Sequence, residues 1–223
     1  MVNLAIIPAR GGSKRIPKKN IKDFLGKPII AYSIEVALKS GLFEEVMVST
    51  DSEEIAEIAK KYGANVPSLR STDNSGDFAN IPAVVEEVKS AYSQKNEFFS
   101  YICCLFPTSP FITVALLKRS LEKLKISNAD SIRPIVKFSF PIQRSFRLIG
   151  DRIEFMYPEY EAARSQDLEA AYHDAGMFYW MKSDTCFKGE NRLGIEIPED
   201  TCQDIDNDMD WKLAELKYQI MHK

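Results

Sequence analysis

A short segment near the start of the chain combines glycines with closely spaced arginines and lysines. Its members are Arg10, Gly11, Gly12, Ser13, Lys14, Arg15, Lys18, Lys19 and Asn20. Glycines let backbone N–H groups approach phosphate oxygens, while guanidinium and ammonium groups neutralise phosphate charge. The spacing matches neither the Gly-x-x-x-x-Gly-Lys-Ser/Thr loop nor the Gly-x-Gly-x-x-Gly dinucleotide fingerprint. We therefore expect a polyphosphate-binding loop of another kind, and a solvated basic surface loop is the alternative.

A pair of carboxylates lies near the other end of the chain. On an extended backbone, Asp204 and Asp206 point to the same side. Mg²⁺ bound to a triphosphate takes one or two protein carboxylates together with phosphate oxygens. The pair is therefore a candidate metal site. The alternative is an ordinary acidic loop in which Asp208 or Asp210 caps the following helix.

A third group of residues suits an acidic small molecule. The fork of the Arg164 guanidinium matches the two oxygens of a carboxylate, and Gln166 is suited to hydroxyl groups. The alternative is a surface ion pair between Arg164 and either Asp167 or Glu161. His173 stands alone in the sequence, which favours a structural histidine over a titrating catalytic group.

Apolar runs alternate with amphipathic segments in the first part of the chain. Residues 4–7 and residues 45–50 are typical of buried strands. Between them, Pro28 precedes a segment with helical spacing. Asp51, with Glu54 three residues later, has the arrangement of a capping box and predicts the next helix. This order indicates βαβ units and a mainly parallel sheet.

The remaining elements continue the pattern with one interruption. Strands are predicted at residues 101–106, 131–136, 177–181 and 193–197, and helices at 82–93, 113–125 and 209–222. The last helix is expected to carry Trp211, Leu213, Leu216 and Ile220 near one stripe. Residues 137–171 are polar, aromatic and basic, and a turn at Gly150 predicts a β-hairpin. We treat this segment as an insertion within a single domain spanning residues 1–223.

Composition narrows the class of protein. The 223 residues carry a net charge of −3, which argues against bulk nucleic-acid binding. No signal peptide and no apolar run of membrane-spanning length is visible. The four cysteines form no Cys-x-x-Cys pair, so buried thiols of a cytoplasmic protein are expected rather than a zinc site or disulfides.

The stretch PARGGSKRIPKKN, at residues 8–20, resembles the signature of the CMP-sialic acid synthetase (acylneuraminate cytidylyltransferase) family. The resemblance implies a Rossmann-like nucleotidyltransferase fold with helices on both faces of the sheet. It also implies that the 137–171 insertion makes a homodimer. The implied reaction uses CTP and Mg²⁺: the anomeric hydroxyl of an acidic sugar attacks the α-phosphate directly and releases pyrophosphate.

The same resemblance assigns roles to individual residues. The implied nucleotide-binding residues are Arg10, Gly11, Gly12, Ser13, Lys19 and Asn20, with Arg70 at the entrance of a polar loop as a further candidate. Arg10, Lys19 and Asp204 are the implied catalytic residues. Asp204 and Asp206 are the implied metal ligands. Arg164, Gln166, Tyr172 and His173 are the sugar-binding candidates.

Two departures from the sialic acid enzymes bear on the sugar. Phe106 stands where those enzymes usually carry glutamine, and Asp174-Ala175-Gly176 stands where they usually show Asn-Gly. The segments RSQDL, YHDAGMFYW and CQDIDNDMDWKLAELKY resemble the branch of the family that activates pseudaminic acid, a nine-carbon acidic sugar. N-acetylneuraminic, legionaminic and 3-deoxy-manno-octulosonic acids remain alternative substrates. A non-catalytic nucleotide-binding module is the alternative of another class.

Overall fold

The computed structural model describes residues 2–76 and 80–222. The strands are β1 (Asn3–Pro8), β2 (Asp23–Phe24), β3 (Lys27–Pro28), β4 (Glu45–Ser49), β5 (Tyr101–Leu105), β6 (Ser131–Lys137), β7 (Phe146–Ile149), β8 (Arg152–Phe155), β9 (Tyr172–Asp174), β10 (Phe178–Lys182) and β11 (Arg192–Glu196). The helices are α1 (Ile29–Ser40), α2 (Glu53–Lys61), α3 (Ile81–Ser93), α4 (Val114–Ser127) and α5 (Asp208–Met221). The predicted alternation of strands and helices is confirmed.

The central sheet is mixed, with most strands running in one direction. Its order is β11-β6-β10-β5-β1-β4, and the short strand β9 additionally pairs with β6. Strand β1 is parallel to β4 and β5, and β11 is parallel to β6. Strand β10 is antiparallel to both of its neighbours because the chain enters it at the edge where β6 ended. Gly176, with φ of +63°, lies in the bend that links β9 and β10, which both run antiparallel to β6.

Helices cover both faces of the sheet, as predicted. Alternate residues of β1 point to opposite faces: Leu4 and Ile6 pack with Val85 and Val88 of α3. Ala5 and Ile7 belong to the larger core on the other face. That core includes buried side chains of α1, α2, α4 and α5, among them Ile30, Ile55, Leu117 and Trp211.

The cap of α2 differs from the prediction. Ser52, not Asp51, is the N-cap residue, and its side chain accepts a hydrogen bond from the N–H of Ile55. The Asp51 carboxylate is instead engaged by Gly11 of the basic segment. The predicted capping box of Asp51 and Glu54 was therefore wrong by one residue, because a tertiary contact takes the aspartate.

The predicted stripe of α5 is also wrong. Trp211 and Ala214 are the buried residues of this helix, and the Trp211 ring lies 5.7 Å from that of Phe24. Their three-residue spacing sets the inward face. The other expected members, Leu213, Leu216 and Ile220, are exposed. Asn207 and Asp210 form the capping box, so Asp208 is not the cap.

An antiparallel hairpin lies within residues 137–171. Strands β7 and β8 form a two-stranded antiparallel sheet separate from the central one, and Gly150 with φ of +61° lies in its turn. Every side chain of β7 is exposed. The hairpin therefore leaves apolar surface uncovered in the isolated chain.

The helices are short relative to a lipid bilayer. Helices α4 and α5 contain 14 residues each. Within residues 2–76 and 80–222, no helix has both the length and the apolar character that crossing a membrane requires.

Candidate active site

A cavity of about 490 Å³ lies where β1 and β5 end at the same edge of the sheet. Residues predicted to bind the nucleotide line it: Arg10, Ser13, Lys19, Asn20 and Arg70. Phe106, directly after β5, also lines it. Its volume lies in the range typical of small-molecule sites. The fold therefore places these predicted residues around one space.

Gly11 and Gly12 occupy different surroundings in the loop. The Gly11 N–H donates a hydrogen bond to Asp51 Oδ1 at 2.8 Å, and a Cβ added to Gly11 would lie 3.1 Å from that of Ser52. Gly12 is exposed, and a Cβ added there would have no neighbouring atom within 4 Å. One glycine thus permits a close contact with the start of α2, while the other keeps the backbone accessible.

Asn20 shapes the loop from inside. It is buried, and its Nδ2 donates a hydrogen bond to the carbonyl oxygen of Arg10 at 2.9 Å. Ile16, also buried, anchors the middle of the segment in the core. These contacts fix the backbone that carries Arg10, whose guanidinium donates to the carbonyl oxygen of Gly76 at 3.4 Å.

Lys19 connects the basic loop with the acidic segment. Its Nζ donates a hydrogen bond to the carbonyl oxygen of Ile205 at 2.7 Å and lies 3.8 Å from Asp206 Oδ1. Burial lowers the pKa of Lys19, and the charges of Asp206 and Asp204 oppose that shift. The ammonium is therefore held half-buried between backbone and carboxylates.

The two candidate metal ligands flank a buried residue. Ile205 is buried, whereas Asp206 is half-buried and Asp204 is exposed, so both carboxylates lie on the accessible side. Arg15 forms an ion pair with Asp206 at 2.7 Å. Asp210 accepts a hydrogen bond from the N–H of Asp206. Within the described residues, no group of three or more histidine, cysteine or acidic side chains could hold a metal ion. Two carboxylates supplemented by phosphate oxygens suit Mg²⁺ in such a setting.

Arg70 is fixed rigidly at the cavity wall. Its Nε donates to Ser49 Oγ at 2.9 Å, and its Nη2 donates to the carbonyl oxygen of the same serine. Burial lowers the pKa of its guanidinium, and the charges of Asp51 and Glu87 counteract this. The cation is thus held in place by the end of β4.

The insertion residues predicted to bind the sugar are not gathered at the cavity. Arg164 pairs with Asp167 at 2.6 Å, and its side chain is 73% exposed. This is the surface ion pair considered as the alternative. Gln166 is exposed in the same 3-10 turn, Ser165–Asp167.

Tyr172 and His173 are separated by the alternation of β9. Tyr172 pairs with Lys137 of β6, and the carboxylate of Glu196 raises the pKa of Tyr172. His173 lies on the opposite face of the strand, where its ring contacts that of Phe138 with centroids 4.9 Å apart. Because Tyr172 and His173 lie on opposite faces of β9, a ligand on one face cannot contact both side chains.

A row of side chains that sequence reasoning did not assemble continues from the cavity. The rings of Phe106 and Tyr179 meet edge to face with centroids 5.2 Å apart, and the Arg133 guanidinium lies 4.3 Å from the centroid of Tyr179. Arg133 Nη1 and Tyr179 Oη both donate to Asp174 Oδ2, at 3.0 and 2.8 Å. The available signal was a charged residue, Arg133, inside an apolar strand.

A model of a known protein family, described as cytidylyltransferase, matches residues 4–194. The match includes the basic loop, Arg70 and the row just described. The chain belongs to the cytidylyltransferase family. It is accordingly a nucleotidyltransferase, and the cavity that the basic loop lines is the candidate for its active site.

Relatives and a solved structure resemble this cytidylyltransferase over different lengths. A pseudaminic acid cytidylyltransferase of Campylobacter jejuni is 43% identical, covering 100% of this chain and 99% of the relative. A CMP-N,N'-diacetyllegionaminic acid synthase of Legionella pneumophila is 42% identical over only 59% of this chain and 58% of the relative. The structure of CMP:2-keto-3-deoxy-manno-octonic acid synthetase complexed with CTP has a TM-score of 0.71, covering 100% of this chain and 99% of that one. At 16% identity this last likeness establishes the fold alone.

Proposed function

We propose that this cytidylyltransferase makes CMP-pseudaminic acid and pyrophosphate from CTP and pseudaminic acid. The observation that carries the proposal is the 43% identity to the pseudaminic acid cytidylyltransferase of Campylobacter jejuni along the whole chain. The similarity to the legionaminic acid enzyme covers a smaller part of the chain. Phe106 and Asp174, which depart from the sialic acid pattern, support the same choice of sugar.

The proposed reaction is a direct displacement at the α-phosphorus. The anomeric hydroxyl oxygen of the sugar forms the new bond and releases its proton to solvent, and the bond between the α-phosphorus and the bridging oxygen breaks, so that pyrophosphate leaves with the electron pair. Such transfers depend on positioning and on neutralising charge rather than on a protein nucleophile. Arg10, Lys19 and Arg70 line the cavity as cations for the phosphates. Removing one such contact typically costs about 10²–10³ in rate.

Asp204 and Asp206 are the proposed ligands of Mg²⁺. When bound, Mg²⁺ would withdraw charge from the phosphate and acidify the attacking hydroxyl. Asp206 is already held beside the phosphate loop by Arg15 and by Lys19. This arrangement supports the proposal because carboxylates and phosphate-binding cations then share one site.

We assign the sugar side to residues beyond Phe106. Arg164, Gln166, Tyr172 and His173 remain the candidates from the sequence. Arg164 is already paired through Nε with Asp167 at 2.6 Å, so Asp167 competes with the carboxylate of the sugar for its guanidinium.

The proposed homodimer uses the 137–171 insertion. Large apolar side chains of this segment are exposed in the isolated chain, including Phe140 at 82%, Leu148 at 71% and Ile153 at 63%. Contiguous exposed apolar surface is typical of an interface. We further propose a cytoplasmic location, which suits a CTP-dependent reaction and four buried free cysteines.

The test is pyrophosphate release with CTP and Mg²⁺ and a panel of acidic sugars. Pseudaminic, N-acetylneuraminic, legionaminic and 3-deoxy-manno-octulosonic acids are assayed in parallel. We expect the highest kcat/KM with pseudaminic acid. A higher kcat/KM with another sugar of the panel would support the proposed reaction but contradict the assignment of pseudaminic acid as the substrate. CTP binding without release from any sugar would favour the non-catalytic module.

A further inference from the structure

Arg133 lies on an open part of the sheet. Ile132 pairs with Trp180 across β6 and β10, and both are buried in the larger core. The next residues, Arg133 and Tyr179, are therefore neighbours on the opposite face. On that face α3 packs against residues of β1, β4 and β5. The side chain of Arg133 is 31% exposed there.

The guanidinium of Arg133 is held before any ligand arrives. It lies over the ring of Tyr179 and donates to Asp174 Oδ2 at 3.0 Å. Asp174 is itself fixed, because Oδ2 also accepts from Tyr179 Oη and Oδ1 accepts from the N–H of Gly176 at 2.8 Å. A guanidinium offers several donors in a planar fork, and the bond to Asp174 employs one edge of it.

Phe106 and Tyr179 link the Arg133 guanidinium to the cavity proposed for the nucleotide. Phe106 lines the nucleotide cavity, and its ring meets that of Tyr179. Arg133 follows directly on the far side of Tyr179. A molecule that extends from the cavity past Phe106 along the sheet therefore approaches Arg133.

We propose that Arg133 binds the carboxylate of the acidic sugar; the inference rests on the proposed function and names a residue of that same site. A fixed guanidinium loses less conformational freedom on binding than a mobile one. The side chain of Arg164 is 73% exposed, against 31% for Arg133, so it loses more conformational freedom when it binds a ligand. Asp174 and Tyr179 are positioning residues that orient Arg133.

The competing role for Arg133 is purely structural. Its ion pair with Asp174 joins β6 to β9 and could serve only to hold that strand in place. If the pair is purely structural, breaking it should lower the stability of the protein and weaken the binding of both substrates. If Arg133 binds the carboxylate, its loss should raise the KM for the sugar and leave the KM for CTP unchanged. The two roles therefore give different kinetic signatures.

The experiment measures KM for CTP and for pseudaminic acid separately in the wild type, Arg133→Ala, Arg133→Lys and Arg164→Ala, together with thermal unfolding. We expect Arg133→Ala to raise the KM for the sugar roughly 10- to 100-fold, as expected for losing a charge-assisted contact. The KM for CTP should not change. Arg133→Lys should recover part of the loss, and Arg164→Ala should cost less than Arg133→Ala.

A carboxamide analogue of the sugar completes the test. The wild type should bind it more weakly than the acid in calorimetry with CMP present, and Arg133→Ala should no longer distinguish the two. An unchanged sugar KM in Arg133→Ala, or equal losses for CTP and sugar without recovery in Arg133→Lys, would overturn the assignment while leaving the proposed function intact. A wild type that neither binds nor turns over pseudaminic acid would overturn both.

Discussion

The backbone N–H of Gly11 donates a hydrogen bond to Asp51 Oδ1 at 2.8 Å, which ties the basic loop to the start of α2. The contact spans 40 positions of sequence. It places a carboxylate beside the loop that is proposed to bind the phosphates, where its charge would be unfavourable for the ligand. We infer that Asp51 serves by fixing the backbone of the loop rather than by touching the nucleotide.

Asp51→Ala is expected to weaken the binding of CTP more than it lowers the stability of the fold. Losing the acceptor leaves the Gly11 N–H without its partner and should lower the free energy of unfolding by about 1–3 kcal/mol. The KM for CTP should rise, and Asp51→Asn, which keeps an oxygen acceptor, should restore most of the binding. Ser52→Ala is the control: it removes the cap of α2 at a cost of about 1 kcal/mol but should leave the KM for CTP unchanged. Equal effects of Asp51→Ala and Ser52→Ala on CTP would argue against a loop-fixing role.

Gly11→Ala and Gly12→Ala should differ in stability. A methyl group at Gly11 would meet Ser52 Cβ at 3.1 Å, whereas the same group at Gly12 would enter open space. Tight packing of this kind typically costs about 1–3 kcal/mol, so Gly11→Ala should lower the unfolding midpoint and Gly12→Ala should not. Chemical denaturation of both variants measures this. The same midpoint for both would contradict the close approach of loop and helix.

CTP binding should weaken at alkaline pH because of Lys19. Burial lowers the pKa of its ammonium below the ordinary value of 10.5, and bound phosphate must raise it again by favouring the charged form. Affinity is therefore complete below the pKa of the free protein and falls as pH rises through it. Titration calorimetry from neutral pH up to 10.5 should show this fall in the wild type. Lys19→Met should bind CTP weakly at every pH and show no such fall. Lys19→Arg should shift the fall in affinity to higher pH. A wild-type affinity independent of pH would refute the role of Lys19.

The proposed homodimer should depend on the exposed apolar side chains of residues 137–171. Leu148→Asp introduces a charge into the exposed surface of β7, where burial against a partner would be costly. We expect this variant to sediment as a monomer while the wild type sediments as a dimer. Ile126→Asp is the matched control, since Ile126 is 79% exposed on α4, outside the insertion. Monomeric wild-type protein, or dissociation caused equally by both variants, would contradict the interface.

The order of strands and helices could be predicted from the sequence because each depends on local signals. The apolar run of residues 4–7, the proline before α1 and the threonine cap of α4 act within a few residues. Most of the predicted nucleotide-binding residues could be expected to line one cavity for the same reason, since they belong to one contiguous loop. These features required no knowledge of distant contacts.

The features that sequence reasoning missed arise from tertiary contacts. Asp51 is drawn from a helix cap to Gly11, a partner far away in sequence. The inward face of α5 is decided by packing around Phe24, which favours Trp211 and Ala214 over a stripe containing Leu213. The direction of β10 follows from where the insertion ends. The interest of Arg133 as a binding residue follows from its contact with Tyr179, which belongs to a different strand.

Pyrophosphate release by Asp204→Asn, with CTP, pseudaminic acid and Mg²⁺, tests the central claim that a basic loop and a carboxylate pair form one cytidylyl-transfer site. The amide keeps the shape of the side chain but removes the charge that a metal ligand requires. We predict a loss of at least about 10²-fold in kcat at ordinary Mg²⁺. Asp208→Asn, which alters an exposed carboxylate paired with Lys22, should keep wild-type turnover. Near-normal turnover by Asp204→Asn would contradict the account.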